Sequence, residues 1–366
     1  MREYPDEKLF DEGNLYHSIE YAQNDYLQMG QYAEAEKMLI RMQTIIAKVG
    51  GANNWNKTRG LIWIQHRMNA RQQIEYLGDG QKTIAPLEWA ERVPGHNEQD
   101  PHPGTLRIEE SINYAPISEV GMLLVHFLAE VKTCAKDETN DCLSNANIRW
   151  ALEDCERLAK TLETSDAYDY TKNMGKMMHQ VMLAIRDLAE AVRPLGLQCF
   201  SQPECKDKQA GDVIIEPFRK AVQIQKEHMI QSSATVTLLY MPSYEVLGYV
   251  LLAFEKYRDA LAMFEASLVE KMGRTLSLLG LARSHSMIKG NEEKADFFYG
   301  YLKTQLQEAD ENNPIVAEAM SSAEKQKQKW IWPYYLPFFN EEEEETTDKT
   351  LTSSEKGKNA CLHCIV

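Results

Sequence analysis

The chain has 366 residues, 43% apolar and 26% charged, with 55 acidic against 40 basic side chains and a net charge of −15. That length carries two average domains or one elongated array, and the apolar share supplies a sizeable core. The acidic balance, with no Lys/Arg cluster to interrupt it, argues against nonspecific nucleic-acid binding, because a phosphate backbone repels such a surface.

Residues 1–13 read as a short lead-in. They lack the apolar stretch of a signal peptide, so a cytoplasmic protein is expected. From 14 to 48, apolar side chains recur at helical spacing: Ile19, Ala22 and Tyr26 line one helix, Gly30 breaks it, and Tyr32, Ala35 and Leu39 line a second. Gly50 to Asn54 is a turn cluster. Helices are predicted next over 61–77 and 84–91, joined by Gly78-Asp79-Gly80, with Ala85 and Trp89 forming a small-plus-aromatic pair. Residues 93–104 hold three prolines and two glycines and form a loop, a place where repeat arrays often meet a partner. Helical patterns follow over 117–136, 143–162 and 168–192, then a second long interruption over 193–211 and a helix over 213–229. The stretch 229–254 is poor in charge but contains Gln231, Ser232, Ser233 and Pro242. It reads as a buried helix boundary rather than a membrane span.

The most informative block runs from Ser243 to Leu302. Tyr244, Leu247, Gly248 and Leu251 form one stripe, and Tyr257, Ala260, Leu261, Phe264 and Leu268 form the next. Gly248 and Ala260 would let two antiparallel helices approach closely, with Tyr244 and Phe264 filling the space around the contact. The unit recurs: a further first helix over 278–287, a turn at Gly290-Asn291, then Ala295 and Tyr299, 35 residues beyond Ala260 and Phe264 as if one residue were inserted. The block resembles the tetratricopeptide repeat, a helix-turn-helix of about 34 residues with small residues at the helix crossing. Residues 14–48 resemble it too, through the spacing of Gly30, Tyr32 and Ala35. Met272 stands where the family often has proline, and Ser267 where it often has alanine.

The resemblance implies an all-α fold, a superhelical array of antiparallel helix pairs whose central repeats, between the clear ones at 14–48, 243–272 and 274–308, are degenerate. Because one repeat cannot bury its apolar face alone, more hairpins are expected on either side of the clear ones. The repeat domain then covers 14–329, ending in a polar capping helix after Asn313-Pro314. Trp330 to Phe339 is an aromatic capping segment expected to pack on the body, and 340–366, opening with Glu341 to Glu345, is an acidic tail disordered by composition.

No metalloprotease, phosphate-loop, nucleophile-elbow or dinucleotide motif is present, so no catalytic, cofactor or metal residue is assigned. His17 and His66 are the histidines best placed to face a groove. Cys361 and Cys364 have metal- or disulfide-type spacing around Leu362-His363 but no second pair to complete a zinc site. Cys199 and Cys205 bracket a short loop, and all seven cysteines are most simply thiols. Asn56 begins a glycosylation pattern that goes unused without a leader. In the family the concave face of the array binds an extended peptide or a helix. The expected function is therefore a noncatalytic scaffold for a protein or peptide partner, with membrane contact not expected. One family variant clamps a peptide carboxylate with lysine and asparagine, but Glu20 and Glu245 occupy the lysine's place, so that specificity is not expected. The alternative is a hydrolase or redox enzyme with its site around His66, His102, His126 or His179 in the middle helices.

Overall fold

The computed structural model describes residues 13–49, 55–75, 115–136, 142–192, 208–228, 241–311 and 313–320. All regular structure among them is helical: α1 (Gly13–Gln28), α2 (Tyr32–Val49), α3 (Trp55–Glu75), α4 (Ala115–Lys136), α5 (Ala146–Glu163), α6 (Asp169–Val192), α7 (Lys208–His228), α8 (Ser243–Ala253), α9 (Tyr257–Glu270), α10 (Thr275–Ser286), α11 (Glu292–Gln305) and α12 (Pro314–Met320). Each packs chiefly on its neighbours in sequence. Helix starts follow local chemistry. The Asn145 side chain accepts from the amides of Asn147 and Ile148 to open α5, and Pro242 opens α8, where its missing N–H costs nothing. The loop predicted over 193–211 ends early, because α7 already begins at Lys208. The helix predicted over 84–91, the loop 93–104, the aromatic run 330–339 and the acidic tail lie outside the described residues.

The three clear pairs share one turn. Gly30, Glu255 and Gly290 each stand two residues before the second helix, and all three have left-handed backbone, with φ of 69°, 57° and 87°. Three residues into each second helix comes a fully buried alanine, Ala35, Ala260 or Ala295, and four further on a buried large side chain, Leu39, Phe264 or Tyr299. The register between the last two pairs differs from the single insertion expected. First helices α8 and α10 start 32 residues apart, whereas second helices α9 and α11 start 35 apart; of the three extra residues, one lengthens α10 and two fall in the longer α10–α11 turn. Gly280 thereby becomes the counterpart of Gly248, and the Phe264 ring is wedged between the two. A Cβ on Gly248 would lie 2.7 Å from that ring, and one on Gly280 2.3 Å.

The main apolar core runs from the end of α3 through α12. The α1–α2 hairpin keeps apart from it. Its apolar side chains form one cluster with the middle of α3, around Met42, Ile45 and Met68, and a second of Leu27, Tyr32 and Ala35. Hydrogen bonds nonetheless bring this hairpin against the far end of the chain: the Asp310 amide donates to the Gly30 carbonyl (3.1 Å), and the Ala33 amide to the Asp310 carboxylate (3.0 Å). The helical array returns to its own beginning.

The thiol expectation needs one correction. Cys134, at the end of α4, and Cys142, just before α5, form a disulfide with Cα atoms 5.5 Å apart, both fully buried where the two helices meet. Cys155 is a free buried thiol. Cys199, Cys205, Cys361 and Cys364 lie outside the described residues. No described helix is long and apolar enough to cross a membrane.

Candidate functional site

α3 carries polar residues at every second position from Gln65 to Glu75, and all six are buried. A spacing of two places side chains all around a helix, so α3 presents charge to each neighbour that packs on it. On one side Glu20 of α1 receives Arg67 through two bonds, Nε to Oε1 at 3.0 Å and Nη2 to Oε2 at 2.9 Å, with Arg71 Nη2 at 3.4 Å. Burial alone would raise the Glu20 carboxyl, but the Arg67 guanidinium holds it far below the usual carboxylate range. On the other side Arg274 forks onto Glu245 of α8 at 2.6 and 2.7 Å while its Nη1 donates to Glu75 at 2.6 Å. Ser277 Oγ also donates to Glu245 (2.6 Å) and lies 2.9 Å from Ser267 Oγ, which accounts for a serine where the repeat family often has alanine. A third fork joins Arg283 of α10 to Glu318 of α12 at 2.8 and 2.5 Å.

Lys271 sits among these pairs, its ammonium donating to Asn24 Oδ1 at 3.2 Å. Burial, reinforced by the neighbouring Arg274, lowers its amine to about 7. Glu20 and Glu245, the positions that the repeat resemblance matches to a clamp lysine, are therefore engaged by buried arginines. A carboxylate forked by a buried arginine is poorly available as a base, and opening such a pair is costly.

A second feature is a groove of about 580 Å³ between α5, α6 and α7. Its rim alternates in charge. Lys160 pairs with Glu156 at 2.8 Å and Lys176 with Glu163 at 2.7 Å; Lys160 and Glu163 are exposed, Glu156 and Lys176 half-buried. Lys220 adds a cation with no ion-pair partner among the described residues, and Glu227 is bonded by Gln223. His179 lines the groove, its imidazole held below the usual range by burial, with Glu156 opposing the shift.

Of the histidines singled out in the sequence, the described side chains of His17, His126 and His179 have separate surroundings. His17 stacks on Tyr21 (6.2 Å) and lies 3.4 Å from Glu20, whereas His126 meets Trp150 edge to face at 5.2 Å, where burial lowers it. The His102 position and the side chains of Asn56 and His66 lie outside the described residues. Among the described residues no group of three or more His, Cys, Asp or Glu could hold a metal ion. Cys155 is an unpromising nucleophile: burial, with Glu119 nearby, pushes its thiol up to about 12. The residues missed in the sequence were the buried cations Arg67, Arg71, Lys271 and Arg274. The period-two polar run along α3 was the available signal for the first two.

No family model, no curated protein and no solved structure matches this chain.

Proposed function

We propose that this chain is a noncatalytic interaction protein of the tetratricopeptide-repeat kind, a superhelical array of helix pairs that takes a peptide or helix of a partner protein. The observation that carries the reading is the groove between α5, α6 and α7, with Lys160, Lys176 and Lys220 set among Glu156, Glu163 and Glu227. Exposed ion pairs of this sort are worth roughly 0–1 kcal/mol each, so a partner's carboxylates and ammoniums can replace the resident ones at little cost. The buried forks at Glu20 and Glu245 cannot be exchanged so cheaply, which moves the contact surface away from the inner face that the family resemblance implies. The shared left-handed turn and the buried alanine after it support the repeat reading.

Selection of peptides from a random display library against the full chain tests this. Peptides carrying both charge signs should enrich, weaken with salt as exposed pairs do, and bind at least ten times more weakly to the triple variant Lys160→Ala/Lys176→Ala/Lys220→Ala at an unchanged melting temperature. Failure to enrich any peptide, or equal binding to the variant, would remove the groove as the site.

A further inference from the structure

The line along which the α1–α2 hairpin meets the end of the chain is made of hydrogen bonds. Besides the Asp310–Gly30 and Ala33–Asp310 bonds, the Thr275 amide donates to Gln28 Oε1 at 2.9 Å, the Thr275 hydroxyl to the Gln28 carbonyl, Gln305 Nε2 to that same carbonyl at 2.9 Å, and Lys271 to Asn24. No apolar cluster among the described residues spans the line. The hairpin's apolar side chains pack among themselves or on α3, and those of α10 to α12 belong to the main core. The hairpin is thus fastened by two unlike attachments. Toward α3 it has an apolar cluster and the Glu20–Arg67 fork; toward α10–α12 it has hydrogen bonds, and Leu306 and Ala309 approach it only at Gly30, which has no side chain to pack on them.

These attachments respond differently to water. Separating apolar side chains exposes them at a cost proportional to area, with nothing gained in return. A neutral hydrogen bond exchanges its partner for water at a net cost of only about 0.5–1.5 kcal/mol. One side-chain atom at the seam would gain by the exchange: Gln28 Nε2 is buried without a hydrogen-bond partner and would find one in water.

We propose that this seam is a gate: the α1–α2 hairpin tilts on its apolar attachment to α3, parts from α10–α12 as a unit, and uncovers Lys271 and the ion pairs around it. The closed form withholds the charged interior from solutes, and the open form presents it without unfolding the main core. The device is independent of the groove between α5, α6 and α7.

Three backbone amides report the gate directly. Those of Ala33, Thr275 and Asp310 stand at helix starts or in a turn, and the acceptors given above lie across the seam. Residue-resolved hydrogen exchange on the full chain should find all three exchanging at least a hundred times faster than the amide of Val181, in the middle of α6. In Asp310→Ala, Thr275 is the decisive reporter, since Asp310 does not touch it. Its exchange should accelerate by about threefold to tenfold, the equivalent of one lost bond, with Val181 unchanged. Gln305→Ala provides the converse reading, at Ala33 and Asp310, should Asp310→Ala fail to fold. Seam amides exchanging at the Val181 rate would mean that the hairpin leaves only on global unfolding. Acceleration confined to amides that lost their own acceptor would mean independent fraying. Either result overturns the gate.

Discussion

Glu119 is a carboxyl buried on α4 with little to hold it ionised. Its Oε2 has no hydrogen-bond partner, and Arg157 Nη2 stands 3.8 Å from Oε1. Burial pushes the group up to about 8 from its ordinary 4.5, with Arg157 offsetting part of the rise. Between those values the folded chain keeps a proton that the unfolded chain releases, so this group makes stability fall as pH rises from 4.5 to 8. Glu119→Gln should therefore gain on the parent through that window, by at most about 1.4 kcal/mol per pH unit, and the gain should level off above 8. Urea titrations at pH 5, 6.5 and 8 measure it, and a pH-independent difference would show that Glu119 ionises normally. Glu255 illustrates a backbone cost instead. It has φ of 57° in the turn where the equivalent positions are Gly30 and Gly290. A left-handed residue with a Cβ is disfavoured by roughly 1–2 kcal/mol, partly offset by the greater freedom of glycine in the unfolded chain. Glu255→Gly should gain about 0.5–1 kcal/mol in the same assay, and a loss would mean that the turn holds the side chain favourably.

At the scale of the helices, the wedge of Phe264 between α8 and α10 is the contact most specific to the repeat. Alanine ordinarily favours a helix over glycine by about 1 kcal/mol. At Gly280 the added Cβ would lie 2.3 Å from the Phe264 ring, whereas at Gly300 on α11 it meets nothing within 4 Å. Gly280→Ala should cost roughly 1–3 kcal/mol by overpacking, and Gly300→Ala should gain up to about 1. Equal thermal midpoints for the two variants would contradict the wedge. The small-plus-aromatic pattern made this crossing legible in the sequence, as did the Gly30–Tyr32–Ala35 spacing in the first pair. Three things were not legible. The offset between α10 and α11 was hidden because most of the extra residues fall in the turn, outside the apolar helical pattern. The Cys134–Cys142 bond depends on how α4 meets α5, which spacing does not express. The ion pairs of α3 were invisible because their partners lie 47 to 199 residues away.

Across the whole molecule, Gly30 belongs at once to a local turn and to the closure. A Cβ there would reach 2.2 Å from Asn313 Nδ2 and 3.0 Å from the Ala309 Cβ, with φ at 69°; at Gly290, with φ at 87°, it would meet nothing. Gly290→Ala therefore measures the backbone penalty alone, roughly 1–2 kcal/mol. Gly30→Ala should exceed it by at least 1 kcal/mol as the Asn313 contact is driven apart. Equal urea midpoints would mean that the ends do not bear on each other. The closure also bears on how such a chain can change its length over generations. An open stack of hairpins grows by duplicating one, since each unit needs only its neighbours. Here one more pair, displacing the ends by a spacing of roughly 8–10 Å, would carry Asp310 out of reach of Gly30, to which it is bonded at 3.1 Å. A join of this kind penalises gain or loss of a whole unit and leaves the turns free to differ in length, as the turns before α9 and α11 do within this chain.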